Sequence, residues 1–517
     1  MKNRSCFMIK NVLDYLEYNA IKLPNHIAFK EQNNEVTYSE TVKLARNMGI
    51  NIYNKIGGIN NRPIIVYIEK SISCLISMLA VLYSGNCYVC VDPSMPKERL
   101  NAIVDNLKPI AIIYNEESEN LKEIQETSEM QKFSVEILMH DCVENCAEIA
   151  NNIRSKIIDT DPAYILYTSG STGIPKGSVI SHKSIIAYAE WLANTFDFNS
   201  DTVFGSQTPF YFSMSVLDVY STIRNGATLV IIPKKYFSFP IKLLDFINQN
   251  NINTIYWVPS ALAIVARCGA FNYISIPQVN KILFAGEVMQ TKILNKWKEY
   301  LPKALYANLF GPTEITDIAL YYIVDRDFSN DEPLPIGKCC TNMDAFALNQ
   351  AGEKVKDNEI GELYFRGSFV GFGYYNSPEK TKEMFVQNPL NKAYPETVYK
   401  TGDLVKKNEY GEYMYMGRAD TQIKHSGYRI ELGEIEHAAN SLEEVDSSVA
   451  LYDVSCDNIM LVYQGSIESN ELLENLQKLY LPSYMLPEKI IKINRMPYNA
   501  NGKIDRVLLK KEYVEGV

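Results

Sequence analysis

Tyr167-Thr-Ser-Gly-Ser-Thr-Gly-Ile-Pro-Lys-Gly177 is the stretch from which the rest of the chain can be read. Ile165 and Leu166 lead into it as the end of an apolar strand, and its eleven residues hold four Thr and Ser hydroxyls, three glycines and one lysine. Such a loop suits a polyphosphate: glycines let backbone N–H groups approach the oxygens, hydroxyls donate further hydrogen bonds, and Lys176 adds positive charge. It is not the usual P-loop, which needs Gly-Lys-Ser/Thr after its frame; here Pro175 precedes the lysine and Gly177 follows it. The plain alternative is a solvated Ser/Gly turn, so other motifs have to agree.

Working outward, 517 residues exceed one core and fit two or more domains. A composition of 46% hydrophobic and 22% charged residues is that of a soluble globular protein. The net charge of −10 argues against a nucleic-acid partner. The longest apolar run, Ile72 to Tyr83, is too short for a membrane span. Met1 to Lys10 lacks the apolar core and cleavage site of a secretory leader, so a cytoplasmic location without membrane attachment is expected. Cys87 and Cys90 have the spacing of a redox or zinc pair, but Asn86-Cys-Tyr-Val-Cys-Val-Asp92 reads as a buried strand with no second ligand group nearby.

The pattern to either side of the loop is α/β. Helical spacing runs from Ile9 to Leu23; then Pro63 to Ile68, Tyr88 to Val91 and Ile110 to Tyr114 read as strands, with helices at Ile72 to Tyr83 and Lys97 to Asn106. Glu116 to Asp159 is a polar connection with short helices. Strands resume at Thr228 to Ile232, Thr254 to Val258 and Ile282 to Ala285, each separated by a helical stretch, which predicts a parallel sheet covered on both faces. Such a sheet binds its ligand beyond the carboxyl ends of its strands, where the 168–177 loop lies. Shorter strands rich in glycine and tyrosine follow Gly361, ending near Gly417. From Gln422 onward a separate α+β unit is expected: helices at Gly433 to Ser441 and Glu471 to Tyr480, strands around Ser448 to Tyr452, Ile459 to Tyr463 and Lys489 to Asn494. The division is expected near Asp420, giving domains 1–419 and 420–517.

Two further motifs carry chemistry. Asn308-Leu-Phe-Gly-Pro-Thr-Glu314, about 140 residues after the loop, offers the Phe310 ring for adenine stacking, the Thr313 hydroxyl for a phosphate and Glu314 as a hard oxygen ligand for Mg²⁺. Tyr399-Lys-Thr-Gly-Asp403 places a carboxylate that can accept from both ribose hydroxyls, and Arg418 of Gly417-Arg-Ala-Asp420 can reach phosphate or ribose oxygens.

Together with the loop, these motifs closely resemble those of the AMP-forming adenylating enzymes, the superfamily of acyl-CoA synthetases, luciferases and peptide-synthetase adenylation domains. The resemblance covers essentially the whole chain, in family order, with Phe310 in place of the commoner tyrosine. It implies a large N-terminal domain of layered α/β sheets with a small β-rich subdomain, followed by a small mobile α+β lid. It also implies ATP, Mg²⁺ and a carboxylic acid as reactants. The nucleotide would be held by Thr168, Ser169, Gly170, Ser171, Thr172, Gly173, Lys176, Asn308, Phe310, Gly311, Thr313, Asp403, Arg418 and Lys503, with Glu314 as metal ligand. Thr168, Glu314 and Lys503, the last from Asn501-Gly-Lys-Ile-Asp-Arg506, would be catalytic. Asp420 matches the hinge, and Gly427 and Tyr428 would face an incoming thiol. Gly361-Glu-Leu-Tyr-Phe-Arg-Gly367 also matches a family motif and reads as structural.

Gln422-Ile-Lys, Arg429-Ile-Glu-Leu-Gly-Glu-Ile-Glu, Ala80-Val-Leu-Tyr-Ser-Gly and Val91-Asp-Pro are most similar to peptide-synthetase adenylation domains and D-alanine:carrier-protein ligases. No carrier segment or Gly-Gly-x-Ser site follows Lys503, so a separate phosphopantetheinylated carrier protein, or CoA, is the expected acceptor. The chain departs from α-amino-acid-activating relatives at Phe212-Ser-Met-Ser-Val-Leu-Asp218, where Ser213 replaces the Asp that pairs the substrate ammonium. By the same alignment the acid pocket is lined by Phe212, Ser213, Met214, Leu217, Ser260, Leu283, Ala285, Leu309, Asp317 and Ile318. Asp317, their only anion, is expected to take a displaced amino group, as in a β- or ω-amino acid, or a hydroxyaryl hydroxyl; otherwise it faces solvent and the acid is small and apolar.

Overall fold

Strands Pro63–Tyr67 and Cys87–Val91 have every residue buried, the state of a parallel sheet whose two faces are both covered. The helix between them, Ile72–Tyr83, is buried on all sides, and Ser71 caps it by accepting from the Cys74 N–H at 3.2 Å. The computed structural model describes residues 9–118, 121, 130–141, 143–169, 175–419, 422–497 and 504–516. Cys87 and Cys90 are free thiols inside the second strand.

These strands belong to a seven-stranded sheet ordered Gly373–Tyr374, Lys176–Ser181, Pro162–Thr168, Cys87–Val91, Pro63–Tyr67, Ala111–Tyr114, Gln131–Ser134. Gln131–Ser134 extends its edge from within the stretch read as a polar connection. A nine-stranded sheet runs Lys338–Cys339, Leu320–Ile323, Leu305–Phe310, Lys281–Phe284, Thr254–Trp257, Val203–Ser206, Thr228–Ile231, Ile27–Glu31, Asn34–Thr37. Its interior pairs are parallel. Both edges turn antiparallel, because direct returns of the chain replace crossover helices at Ile27–Thr37 and after Phe310. Between Met343 and Arg418 the strands other than Gly373–Tyr374 form a five-stranded sheet built on Gly361–Gly367 and Thr397–Lys407.

The chain divides into two compact units: Met1–Pro93, Leu107–Leu166 and Gly177–Gly417; and Ser94–Asn106, Tyr167–Lys176 and Arg418–Val517. The second holds the hairpin Gln422–His425/Tyr428–Glu431, the helix Leu432–Asn440 and a three-stranded sheet of Val445–Asp453, Asn458–Gly465 and Lys489–Lys492. Its main core gathers Ile430, Ile435, Leu461, Tyr463, Leu472 and Met485. The helix expected over Glu471 to Tyr480 is α-helical only at Ser469–Asn475, and Leu476–Tyr480 loosens to a π-turn. Among the described residues, no helix is long and apolar enough to cross a membrane.

Candidate functional site

In the first unit, the Asn308–Glu314 motif begins in strand Leu305–Phe310, the last of the six parallel strands and just where the sheet turns antiparallel. Asn308 is held by its amide donating to the Pro335 carbonyl at 2.8 Å. Gly311 lies so close to the returning chain that a Cβ would stand 2.2 Å from the Asp317 carbonyl oxygen, which explains why only glycine fits there. A single 3-10 turn, Thr313–Ile315, follows. Thr316 then adopts φ 76°, ψ −58°, a γ-turn closed by the Asp317 N–H donating to the Ile315 carbonyl at 3.0 Å. That conformation is strained for a β-branched residue. Neighbours fix it: Thr316 Oγ1 donates to the Phe369 carbonyl at 2.9 Å, and Tyr164 Oη donates to the Thr316 carbonyl at 3.1 Å.

The strained turn separates two buried carboxylates with different partners. Glu314 is fully buried, and its Oε1 accepts from Tyr374 Oη at 2.5 Å. Asp317 is 1% exposed, and its Oδ2 accepts from Tyr188 Oη at 2.8 Å and Tyr256 Oη at 3.1 Å. Asp317 therefore does not point to solvent, and the small-apolar-acid alternative loses its premise. Burial pushes its carboxyl up to about 7, while the hydroxyls of Tyr188, Tyr256 and Ser213 draw it back. Ser213, standing where relatives carry a carboxylate, is thus turned toward the carboxylate this chain has instead. Its Oγ also lies 3.4 Å from Thr313 Oγ1, which donates to it and so ties Ser213 to the Asn308–Glu314 motif.

Of the other expected pocket residues, Leu283, Ala285 and Leu309 sit at the carboxyl ends of parallel strands, whereas Met214 and Leu217 lie at the start of helix Ser215–Asn225 and Ser260 at the start of helix Pro259–Arg267. Leu283 pairs with Tyr256 across adjacent strands, and Leu309 lies on the next strand over. Met214, Leu217, Leu283, Ala285, Leu309 and Ile318 are buried, whereas Phe212, Ser213 and Ser260 are partly open. Ser260 brings in an anion absent from the sequence-based lining: its backbone N–H and hydroxyl donate to the two oxygens of Glu287 at 2.7 and 2.9 Å. Asp218, just beyond Leu217, is fully buried with neither oxygen hydrogen-bonded. Burial raises its pKa and lowers that of Lys70, its nearest compensating charge.

Lys400-Thr-Gly-Asp403 forms a bulge in strand Thr397–Lys407. Glu362 faces Leu404 but Tyr364 faces Lys400, so the extra residues are looped out at the motif. Gly402 takes φ 76° there, and Thr401 Oγ1 ties the bulge down by donating to the Leu363 carbonyl at 2.8 Å while accepting from the Asp403 N–H at 2.9 Å. The Phe310 ring lies 5.8 Å from that of Tyr415, and Arg418 ends strand Tyr413–Arg418. A polar cleft of about 260 Å³, lined by Asp344, Arg366, Asn388, Tyr394 and Glu396 among others, contains none of the side chains expected to hold nucleotide or acid; Arg366 comes from the Gly361–Gly367 motif read as structural.

In the second unit, Thr168 ends one strand and Lys176 starts another. Thr168 Oγ1 donates to the Lys176 carbonyl at 3.5 Å, and both residues are buried. Lys176 Nζ is 3.3 Å from Glu431 Oε1, a partner the sequence motif contained without signalling. Gly427 occupies the two-residue turn of the hairpin, and the Tyr428 ring stacks on Tyr484 with centroids 3.8 Å apart. Gly170, Ser171, Thr172, Gly173, Asp420 and Lys503 lie outside the described residues. Tyr188, Tyr256, Tyr374, Glu287 and Thr316 carried no local sequence signal; each is set by a contact from far along the chain.

A family profile, AMP-binding enzyme, matches residues 16–375. The chain belongs to the AMP-binding enzyme family. Among curated relatives, the D-alanine–D-alanyl carrier protein ligase of Listeria innocua is 31% identical over 518 residues, covering 98% of this chain and 99% of that one. Surfactin synthase subunit 1 of Bacillus subtilis is 31% identical over 502 residues, 96% of this chain. The chain spans only 14% of that subunit, and 11–19% of the other first-ranked synthases. Among solved structures, NpsA-ThdA, an artificially fused adenylation–PCP di-domain from Klebsiella oxytoca, superposes with a TM-score of 0.80 at 21% identity over 94% of each chain. That likeness fixes the fold: a large α/β N-terminal region and a small α+β C-terminal one.

Proposed function

We propose that this chain activates a small carboxylic acid with ATP, forming an acyl-adenylate and pyrophosphate, and passes the acyl group to the phosphopantetheine thiol of a carrier protein in the cytoplasm. The observation that carries the reading is the strained turn at Thr316, which holds the phosphate-motif carboxylate Glu314 and the buried pocket carboxylate Asp317 three residues apart. Whole-length similarity to carrier protein ligases supports the acceptor.

Attack of a carboxylate on the α-phosphorus of ATP sets like charges together, so this chain's contribution is positioning and charge neutralisation. Asp317 would pair the substrate's ammonium, placed away from the α-carbon because Ser213 leaves no anion at the usual position. Asp403, aimed by its bulge, would accept from the ribose hydroxyls, and Phe310 would stack on adenine. Thr168, Ser169, Lys176, Asn308, Gly311, Thr313 and Arg418 would hold the phosphates and the nucleotide, with Gly170, Ser171, Thr172 and Gly173 completing the loop. Among the described residues no cluster of three His, Cys, Asp or Glu could hold a metal unaided. A lone carboxylate such as Glu314 suits Mg²⁺, which binds through one or two carboxylates plus substrate phosphates. When bound, Mg²⁺ would neutralise charge on the polyphosphate, and Tyr374 would orient the Glu314 oxygens. Lys503 would stabilise the charge developing at the α-phosphate, Asp420 would serve as the hinge, and Gly427 and Tyr428 would flank the thiol's approach.

Acid-dependent ATP–pyrophosphate exchange tests this reading. Lys503→Ala is expected to lower exchange roughly a hundredfold or more, the scale of one lost transition-state donor; an unchanged rate removes Lys503 from the mechanism. Offering CoA against a phosphopantetheinylated carrier separates a carrier ligase from a CoA ligase.

A further inference from the structure

The stretch that carries Ser213, Met214 and Leu217 is stapled to the rest of the first unit by one side chain that the activation chemistry leaves unused. Lys70 lies in the short turn between strand Pro63–Tyr67 and helix Ile72–Tyr83. Its Nζ donates at 2.9 Å to the carbonyl of Ser206, the last residue of strand Val203–Ser206, and lies 5.4 Å from the centre of the Phe210 ring. At the far end of the stretch, Asp218 in helix Ser215–Asn225 is 1% exposed and accepts no hydrogen bond at either oxygen. Lys70 is the charge that draws the Asp218 carboxyl back toward ionisation against its burial, and Asp218 does the same for the Lys70 ammonium. One cation thus meets the beginning, the middle and the end of residues 206–218. It also bridges the two large sheets: Lys70 follows a strand of the seven-stranded sheet and Ser206 closes one of the nine-stranded sheet, both at carboxyl ends.

Residues 207–214 form neither strand nor helix. Their backbone bonds close the turn on itself, with the Phe212 N–H donating to the Pro209 carbonyl and the Ser215 N–H to the Phe212 carbonyl, each at 3.1 Å. Such bonds keep the shape of a turn without fixing its place on the scaffold. An uncompensated buried carboxylate is costly, so the stretch is favoured where Asp218 faces Lys70 and disfavoured elsewhere. Asp218 also stands close enough to Asp317 for their charges to repel, and compensating the first spares the second. We propose that Lys70 is a positioning residue for the acid half of the site: it neutralises Asp218, anchors Ser206 and so sets where Ser213, Met214 and Leu217 stand against Asp317. Its hydrogen bond reaches none of the residues expected to hold nucleotide, so its effect falls on the acid.

This rests on the proposed activation of an acid, and acid-dependent ATP–pyrophosphate exchange by the full chain separates the two claims. The probe is whichever β-amino, ω-amino or hydroxyaryl acid gives the fastest wild-type exchange. Lys70→Met keeps the apolar stem and removes the charge and the donor. It is expected to raise KM for that acid about tenfold, the scale of one hydrogen bond to a charged group, with KM for Mg-ATP and kcat at saturating acid unchanged. Lys70→Arg, which retains charge and donor, should return KM for the acid to near the wild-type value. General damage to the fold gives neither that split nor that rescue. Should Lys70→Met not fold, Lys70→Gln, able to donate to Ser206 but uncharged, is expected to show the same split at about threefold. An unchanged KM for the acid, or equal rises for acid and Mg-ATP, overturns the role of Lys70 and leaves the activation chemistry standing. Absence of exchange with every acid in the wild type overturns both.

Discussion

Asp317 in the first unit and Lys176 in the second are both buried charges, and they are compensated in opposite ways. Burial raises the Asp317 carboxyl to about 7, and its bonded partners, the neutral hydroxyls of Tyr188 and Tyr256, draw it only part of the way back. Lys176 faces a full carboxylate from its own chain. On the proposed reading a substrate cation would supply the counter-charge at Asp317, whereas at Lys176 the chain itself already carries one. The difference teaches that burial alone does not say what a charged residue does; the kind of partner it has been given does.

The largest expected effect breaks the first half of this contrast. Asp317→Asn removes the only charge we assign to the substrate ammonium, and unpairing a buried ammonium costs about 3 kcal/mol, roughly a hundredfold in kcat/KM for an amino-acid substrate. The same variant should lose little with the corresponding acid that lacks the amine. Exchange kinetics with the matched pair of acids decide it, and an equal loss with both would make Asp317 structural.

Next in size is the pH dependence. An Asp317 carboxyl titrating near 7 binds a cation only when ionised, so KM for the amino-acid substrate should fall about tenfold per pH unit below 7 and level off above it. Stability runs the other way. The unfolded carboxyl loses its proton near 4 and the folded one near 7, so across that window the folded chain binds more protons and stability falls as pH rises. The loss is at most on the order of 4 kcal/mol. Denaturant titrations at pH 4 and pH 7 should show a pH-dependent loss in the wild type that Asp317→Asn lacks.

Tyr256→Phe sharpens the contrast more gently. One hydrogen bond to the carboxylate is worth about 1.5 kcal/mol or somewhat more, so the midpoint of the KM profile should move up by about one pH unit, with kcat little changed. Smallest is Tyr428→Leu, which removes the stack on Tyr484 in the second unit. It should lower stability by about 1 kcal/mol and leave ATP–pyrophosphate exchange unchanged, since it touches neither buried charge.

Much of this architecture was legible in the sequence because it is written locally. The alternation of apolar runs and helical spacing gave the strands at Pro63–Tyr67, Thr228–Ile231 and Lys281–Phe284 to within a residue or two. Strand Gln131–Ser134 was not legible: it lies at a sheet edge with only Phe133 buried, so it has no apolar run to announce it. The antiparallel edges of the nine-stranded sheet were missed because a strand's own residues do not state the direction of its neighbour. At the candidate site, Asp317 was picked out by its charge among apolar pocket positions, yet its tyrosine partners come from a helix and a strand 129 and 61 residues away. Thr316 gave no sign, since a β-branched residue is the wrong one for a positive φ and only tertiary contacts hold it there. Glu431 stood inside a quoted motif, but its pairing with Lys176 spans 255 residues.

The measurement that bears most directly on the whole account is ATP–pyrophosphate exchange with Mg-ATP across a panel of α-, β- and ω-amino acids, hydroxyaryl acids and simple acids. The account predicts exchange that depends on the acid, strongest with an acid whose polar group lies away from the α-carbon and, for an amino acid, lowered roughly a hundredfold by Asp317→Asn. Exchange that favours plain L-α-amino acids would contradict the reading of Ser213 and Asp317, and no exchange above the acid-free blank with any acid would contradict the activation chemistry itself.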